Sequence, residues 1–330
     1  MDFKAIIGND SLKALISSHI RNRTLSHAYI IEGPKGSGKR TFAREICKAL
    51  CCNDGNSSLP CGSCISCKRI DDGYNTDIYT LNKGDKASIS VEDVRNMTAT
   101  LGYYPDDGDK KIYIIEEADK MTVQAQNALL LSLEDPPAYV VFLLLCEDST
   151  ALLETVRSRA QILKTEIFSR EYTINYLKKH PLCKNATDEQ LTKAAAVSRG
   201  ALGEAVNAIN EKKQKSASVS ADAEHLIELF CTGTKADAVV FASTLKYSRS
   251  EFEKFFEYAL FAVRDLLCAK CNGSDTAYYA DIKTAADLAR RLNISKLTKI
   301  YDALTTAKDD ITKNNAHIYA VMTTLAASAV

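Results

Sequence analysis

The sequence predicts an α/β domain built on a parallel sheet that carries a phosphate loop, followed by a remainder made of helices alone. Three observations predict it. Residues 27–39, HAYIIEGPKGSGK, read as strand, glycine turn and helix start; apolar strands alternate with amphipathic helices up to about residue 166; and beyond Ser169 the strand signal stops.

Residues 3–22 read as a lead-in turn and an amphipathic helix, with Leu12, Leu15, Ile16, His19 and Ile20 near helical spacing. Ala28 to Glu32 is a short buried strand, Gly33 to Gly38 a tight turn, and Arg40 to Leu50 a helix with Phe42, Ile46, Ala49 and Leu50 on its apolar side. Gly33, Gly36 and Gly38 let the backbone turn its N–H groups inward, and the helix N-terminus adds partial positive charge, so the loop suits a polyphosphate. Lys39 is placed to reach the outer phosphates. The next position departs from the pattern. Hydrolysis needs a Ser or Thr hydroxyl there to hold Mg²⁺, and the place is taken by Arg40. Thr41 does not substitute, because it sits about 100° further round the helix.

Asp77 to Leu81 is a second strand, and Ser90 to Leu101 a helix opened by Ser90 with Glu92 and Asp93 in its first turn. Ile112 to Ile115 is a strand ending in Glu116 and Glu117, where an ATPase keeps a Mg²⁺-associated acid and a water-polarising acid, although paired acids are also common at sheet ends. Ala125 to Leu133 is a helix stopped by Pro136 and Pro137. Tyr139 to Cys146 is apolar throughout, as expected in the middle of a sheet covered on both faces. Leu152 to Ser158 leads into Arg159 and a last strand, Ala160 to Lys164. Residues 170–210 hold three short helical patterns, with a turn at Ser198 to Gly203 between the last two. Lys212 to Asp222 is polar and rich in small residues, which predicts a linker. Beyond it Phe252, Phe255, Phe256, Ala259, Val263, Leu266 and Leu267 form one apolar stripe, ended by Asn272 and Gly273.

Lys plus Arg equals Asp plus Glu at 42 each, so no overall field draws the chain to nucleic acid or an anionic membrane. The N-terminus lacks the apolar run of a signal peptide, and Val140 to Cys146 is far too short to span a bilayer; a cytoplasmic protein with no membrane partner is expected. Its 11 cysteines are then expected as thiols or metal ligands. Cys52, Cys61, Cys64 and Cys67 form C-x8-C-x2-C-x2-C, a spacing that closes on one tetrahedral Zn²⁺ and, with a full ligand set, makes it structural. Cys51 competes for the first ligand position. A nucleic-acid-binding ribbon has thin support, since Lys68 and Arg69 are the only nearby basic pair. Cys268 and Cys271 make a lone CxxC, expected as packed thiols.

Taken together, HAYIIEGPKGSGK, the four-cysteine insert at about 51–68, IIEEADKM, NALLLSLEDPP at Asn127 to Pro137 and the pair Ser158 and Arg159 resemble the bacterial replicative clamp-loader proteins of the AAA+ superfamily. The resemblance covers roughly the first half of the chain; the helical remainder is similar in layout only. It implies an AAA+ P-loop domain over residues 1–166, a helical lid over 167–211 and an α-helical collar over 222–330, and its spacing favours Cys52 over Cys51 as a zinc ligand. It also implies that Arg159 projects into a neighbouring subunit's ATP site, where a guanidinium stabilises charge developing on the γ-phosphate. The third residue of that motif, a cysteine in the family, is Ala160. The implied partners are clamp-loader subunits of the gamma/tau and delta types, with the sliding clamp and primer-template DNA met through the assembled DNA polymerase III complex.

The departures from the hydrolysing members are Arg40, Glu116 where the motors have Asp, Cys146 and Glu147 where they have a Thr pair, and Gly203 where their lid helix carries an Arg. A non-hydrolysing subunit with no autonomous ATPase is expected; Gly33, Gly36, Gly38, Lys39, Glu116 and Glu117 form a degenerate nucleotide site that leaves binding of ATP or ADP open and excludes turnover. The alternatives are a gamma/tau-type motor and a P-loop small-molecule kinase; the zinc insert and helical tail weigh against the kinase.

Overall fold

The computed structural model describes residue 3 and residues 5–53, 60–84, 86–210, 216–273, 276, 278–279, 282–312 and 316–329. They form two compact units, Met1–Ile167 and Phe168–Val330. In the first, the strands are β1 (Ala28–Glu32), β2 (Ile78–Leu81), β3 (Lys111–Ile115), β4 (Val140–Cys146) and β5 (Gln161–Lys164). They are all parallel, in the order β2-β3-β4-β1-β5. The helices of this unit are α1 (Asp10–Arg21), α2 (Lys39–Cys51), α3 (Ile65–Asp71), α4 (Val91–Thr98), α5 (Val123–Glu134) and α6 (Glu154–Arg157).

The uninterrupted apolar run of β4 is explained by its place: it is the middle strand and every residue of it is buried. Strand side chains alternate between faces, so each central strand feeds two cores. Ala28, Ile30, Tyr113, Ile115, Phe142 and Leu144 enter one core, with Val94 and Met97 of α4 and Leu129 and Leu133 of α5. Tyr29, Ile31, Ile112, Ile114, Leu143 and Leu145 enter the other, with Ile16 of α1, Phe42 and Ile46 of α2 and Ile70 of α3. The strand order also brings the carboxyl ends of β1, β3 and β4 side by side, the usual place for a ligand in an open parallel sheet.

Local details sharpen the sequence reading. β2 begins at Ile78; the buried Asp77 just before it accepts the backbone N–H groups of Asp106 (2.6 Å) and Asp107 (2.9 Å) with its carboxylate. The helix opened by Ser90 ends at Thr98.

The second unit holds α7 (Arg170–Lys179), α8 (Asp188–Val197), α9 (Leu202–Asn210), α10 (Ser216–Thr232), α11 (Lys235–Thr244), α12 (Arg249–Lys270), α13 (Ile282–Ala289), α14 (Ile294–Thr312) and α15 (Ile318–Ala329). Leu177, Leu191, Ala195 and Ala205 make a small core within α7–α9. Phe252, Phe255, Phe256, Val263 and Leu266 of α12 centre a larger one, joined by Leu226 and Phe230 of α10 and Leu297 and Leu304 of α14. The stretch expected as a linker is helical from Ser216 onward; Lys212–Lys215 lie outside the described residues. Val219, Ala223, Leu226, Ile227 and Phe230 are buried at helical spacing, so from Val219 onward the chain presents a packed helix face. The lone CxxC is also corrected: Cys271 is exposed, past the end of α12, and only Cys268 is partly covered.

The α4 cap offers a stability test. The Ser90 side chain accepts from the Asp93 N–H, and the Asp93 carboxylate accepts from the Ser90 N–H, a reciprocal capping box. Hydrogen bonding to Lys86, then to Ser90, holds the Asp93 carboxyl down at about 2. Ser90→Ala is expected to cost about 1 kcal/mol in urea unfolding at neutral pH. Because the folded value is depressed, the contribution of Asp93 is complete above the unfolded carboxylate value of about 4 and fades as pH falls through about 2.

Candidate nucleotide site, cysteine cluster and exposed arginine

Three positions in the turn after β1 call for glycine. A Cβ on Gly33 would stand 1.9 Å from Thr165 Oγ1 and 2.7 Å from Ser37 Oγ. Gly36 and Gly38 hold φ of 73° and 90°, in the left-handed region that disfavours other residues. Gly38 begins α2 without a side-chain cap, leaving the N-terminal N–H groups for an anion. Lys39 Nζ lies across the loop and donates to Gly33 O (2.6 Å) and Pro34 O (2.9 Å). Burial pushes the Lys39 ammonium below the usual lysine range, opposed by the nearby Glu147, Cys146 and Asp119.

Arg40 makes a contact that sequence reasoning missed. Its Nη2 lies 2.7 Å from Glu116 Oε2, and Glu116 is largely buried at 15% side-chain exposure while Arg40 is 72% exposed. The acid at the end of β3 is therefore already paired with a cation. A Mg²⁺ ion would have to displace the guanidinium from that carboxylate, and position 40 supplies no hydroxyl in return. Thr41 lines a cavity beside α2 that Arg40 and Glu116 also line. Glu117 holds φ 52° and ψ 47°, and its carboxylate is 3.8 Å from Lys83. β4 ends in Cys146, a buried thiol that burial raises to about 12, and Glu147, whose N–H donates to Asp119 (3.3 Å). Gly203 lies in the first turn of α9 in the second unit.

The sulfurs of Cys52, Cys61, Cys64 and Cys67 all lie within 4.8 Å of one another. The separation is 3.9 Å for Cys52 and Cys64 and 4.0 Å for Cys61 and Cys67, close to the roughly 3.8 Å that tetrahedral Zn–S bonds require. The peptide N–H groups of Ser63 (3.4 Å) and Cys64 (3.3 Å) donate to Cys61 Sγ, and that of Cys67 donates to Cys64 Sγ (3.4 Å). Those N–H donors bring the Cys61 thiol down to about 6, whereas burial pushes Cys67 up. The donor set fits a closed thiolate site. Cys51, the last residue of α2, is turned into the core and is 4% exposed, so it stands outside the cluster.

Arg159 follows α6 and folds back on its own unit. Its Nη2 is 2.6 Å from Glu134 Oε1 at the end of α5, and its Nη1 donates to Thr155 O (2.9 Å) and Ser158 Oγ (3.3 Å). The segment is anchored by buried Gln126, whose Oε1 accepts from Leu153 N (2.7 Å) and whose Nε2 donates to Ala151 O (3.4 Å). Glu134 and Gln126 carried no sequence signal beyond their place on a helix.

Parallel strands in this order, a phosphate loop after β1 and paired acids after β3 define a P-loop domain of the AAA+ type. The family described as "DNA polymerase III, delta subunit" matches residues 8–169. The gamma subunit of DNA polymerase III from Buchnera aphidicola subsp. Schizaphis graminum is 34% identical over 208 residues, covering 62% of this chain and 56% of that protein. The tau subunit from Escherichia coli is 32% identical over 157 residues, covering 48% of this chain and 24% of that protein. The chain thus spans about half or less of the length of these relatives. A solved gamma subunit-related protein from Thermotoga maritima is 17% identical with a TM-score of 0.47, over 94% of this chain and 99% of that one. Over residues 8–169, just under half of its length, the chain is thus similar to subunits of DNA polymerase III.

If the Arg40–Glu116 pair is what opposes Mg²⁺, Arg40→Thr frees the acid and restores the hydroxyl. Labelled-ATP titrations are expected to show Mg²⁺ tightening binding at least roughly tenfold in the variant and little in the wild type.

Proposed function

We propose that the chain is a delta-prime-type subunit of a DNA polymerase III clamp loader, which takes part in sliding-clamp loading without hydrolysing ATP itself. The observation that carries this reading is the 2.7 Å pair between Arg40 and Glu116, which occupies both the hydroxyl position and the acid that Mg²⁺-dependent hydrolysis needs. The family description over residues 8–169 supports a DNA polymerase III subunit and does not separate delta-prime from gamma/tau. ATP or ADP is held, if at all, by the loop at Gly33, Gly36 and Gly38 with Lys39, and is not turned over.

In this reading Arg159 is the catalytic contribution, made in trans: it leaves Glu134 and reaches the γ-phosphate in the site of an adjacent ATPase subunit. Residues 167–211 serve as the lid and residues 222–330, with the preceding turns of α10, as the collar that joins gamma/tau and delta-type partners. The sliding clamp and primer-template DNA are met through that assembly. Cys52, Cys61, Cys64 and Cys67 hold one structural Zn²⁺, which supplies a crosslink between the insert's turns and no chemistry at the phosphate loop.

A gamma/tau-type motor is the second reading, favoured by the names of the relatives at 34% and 32% identity. Turnover separates the two. The purified chain is expected to show no ATP hydrolysis above background; steady hydrolysis abolished by Lys39→Ala would establish the motor. In a reconstituted loader of verified composition, Arg159→Ala is expected to leave assembly intact and to lower turnover at one interface by about 10³-fold or more. Wild-type clamp-stimulated rates in that complex would remove the catalytic role. Elemental analysis of freshly purified, reduced protein is expected to find about one zinc per chain, reduced in Cys64→Ser.

A further inference from the structure

Arg159 is held by three acceptors at once. Nη1 donates to Thr155 O (2.9 Å) and Ser158 Oγ (3.3 Å) on its own segment, and Nη2 lies 2.6 Å from Glu134 Oε1 on another helix. Both Nη1 hydrogens are thereby used, and the guanidinium is folded toward α6 and the end of α5. Glu134 sits against the local rule for its position. It is the last residue of α5, where the helix dipole disfavours an anion, and the last turn has no basic residue of its own. The cation that matches it comes from 25 positions further along the chain.

The two partners stand on fixed backbones. Leu129 and Leu133 bury α5 in the core, and Pro136 and Pro137 follow its end. The short α6 is held by buried Val156 and by the Leu153 N–H, which donates to Gln126 Oε1 at 2.7 Å. The pair is therefore made and broken by rotation of the two side chains between anchored segments, which gives Arg159 two discrete arrangements: retracted on Glu134, or extended away from the unit.

We propose, resting on the reading of Arg159 as a group that acts in trans, that Glu134 is an autoinhibitory latch: it keeps the guanidinium retracted until the γ-phosphate in a neighbouring subunit's site displaces it. The latch is weak. Side-chain exposures of 34% for Arg159 and 49% for Glu134 leave the pair well solvated, so it biases the two arrangements by a factor of about two to five. A γ-phosphate offers more charge than one carboxylate and several oxygens to a planar guanidinium, and it overcomes that bias. A neighbouring site that holds ADP lacks the group that competes with Glu134, so there the arginine stays retracted. The latch thus ties release of Arg159 to the nucleotide state of the partner subunit.

The test uses a reconstituted loader of verified composition in which the phosphate-loop lysine is replaced at every ATP site except the one facing Arg159, so that a single interface is read. Glu134→Gln keeps the shape and removes the charge. It is expected to raise kcat/KM for ATP by about two- to fivefold, with assembly and the melting curve unchanged. Should Glu134→Gln fail to assemble, Glu134→Ala carries the same expectation. The double variant Glu134→Gln with Arg159→Ala is expected to match Arg159→Ala alone, because the gain passes through the arginine; an acid that only braced the end of α5 would not show that dependence. A fall or no change in kcat/KM for Glu134→Gln, or a gain that persists in the double variant, overturns the latch, while a loss of turnover in Arg159→Ala leaves the arginine's own role standing. Wild-type turnover in Arg159→Ala removes that role and the latch with it.

Discussion

The first unit depends on one constraint: β4 is buried along its whole length at the centre of a parallel sheet. A strand so placed needs apolar cover on both faces, and the alternation along β1, β3 and β4 divides the side chains between two cores, one under α4 and α5 and the other under α1, α2 and α3. The functional geometry is a by-product of that packing. With β1 and β3 flanking β4, the phosphate loop and the acids of β3 necessarily end at the same edge. Gly33 N donating to Cys146 O at 3.2 Å ties the loop to the end of β4 directly.

At that edge, electrostatics decides what the loop can do. The glycine cradle and the uncapped start of α2 favour an anion, and Lys39 is held over the loop by two carbonyls. The same edge disfavours a divalent cation, because Glu116 has a guanidinium partner delivered by the neighbouring helix. The groups suited to an anion and the acid suited to a metal thus have different partners within one site. The exposure of Arg40 limits how much the pair adds to stability, so its consequence lies in site chemistry more than in folding.

The cysteine cluster and the cavity beside α2 meet at α3. Cys64 caps α3 and Cys67 lies in its first turn, while Ile70 of the same helix packs into the core and lines the cavity. Order at the cluster is therefore transmitted to the cavity wall through a helix of 7 residues, too short to hold itself together by its backbone alone. Core packing at one end, and at the other the crosslink that a metal held by the four sulfurs would make, supply what its length does not.

The glycine turn, the buried apolar run of β4, the Ser90 cap and the Cys52, Cys61, Cys64 and Cys67 spacing were all legible in the sequence, because each is a short-range pattern whose physics is local. The same holds for the long apolar stripe of α12. Composition misled where a local signal competed with packing: the stretch after Lys215 read as a linker, yet it begins a helix whose Val219 and Ala223 enter the core. Cys51 and Cys52 could be told apart only by tertiary structure, which turns one thiol into the core and the other toward Cys64. The partners of Arg40 and Arg159 were likewise decided by the fold. Arg40 and Glu116 are 76 positions apart in the chain and Arg159 and Glu134 are 25 apart, and no periodicity spans such separations. By itself the sequence determined which residues carry charge, sulfur and backbone freedom; only strand order and helix packing determined which of them meet, because those contacts form across elements and not along them.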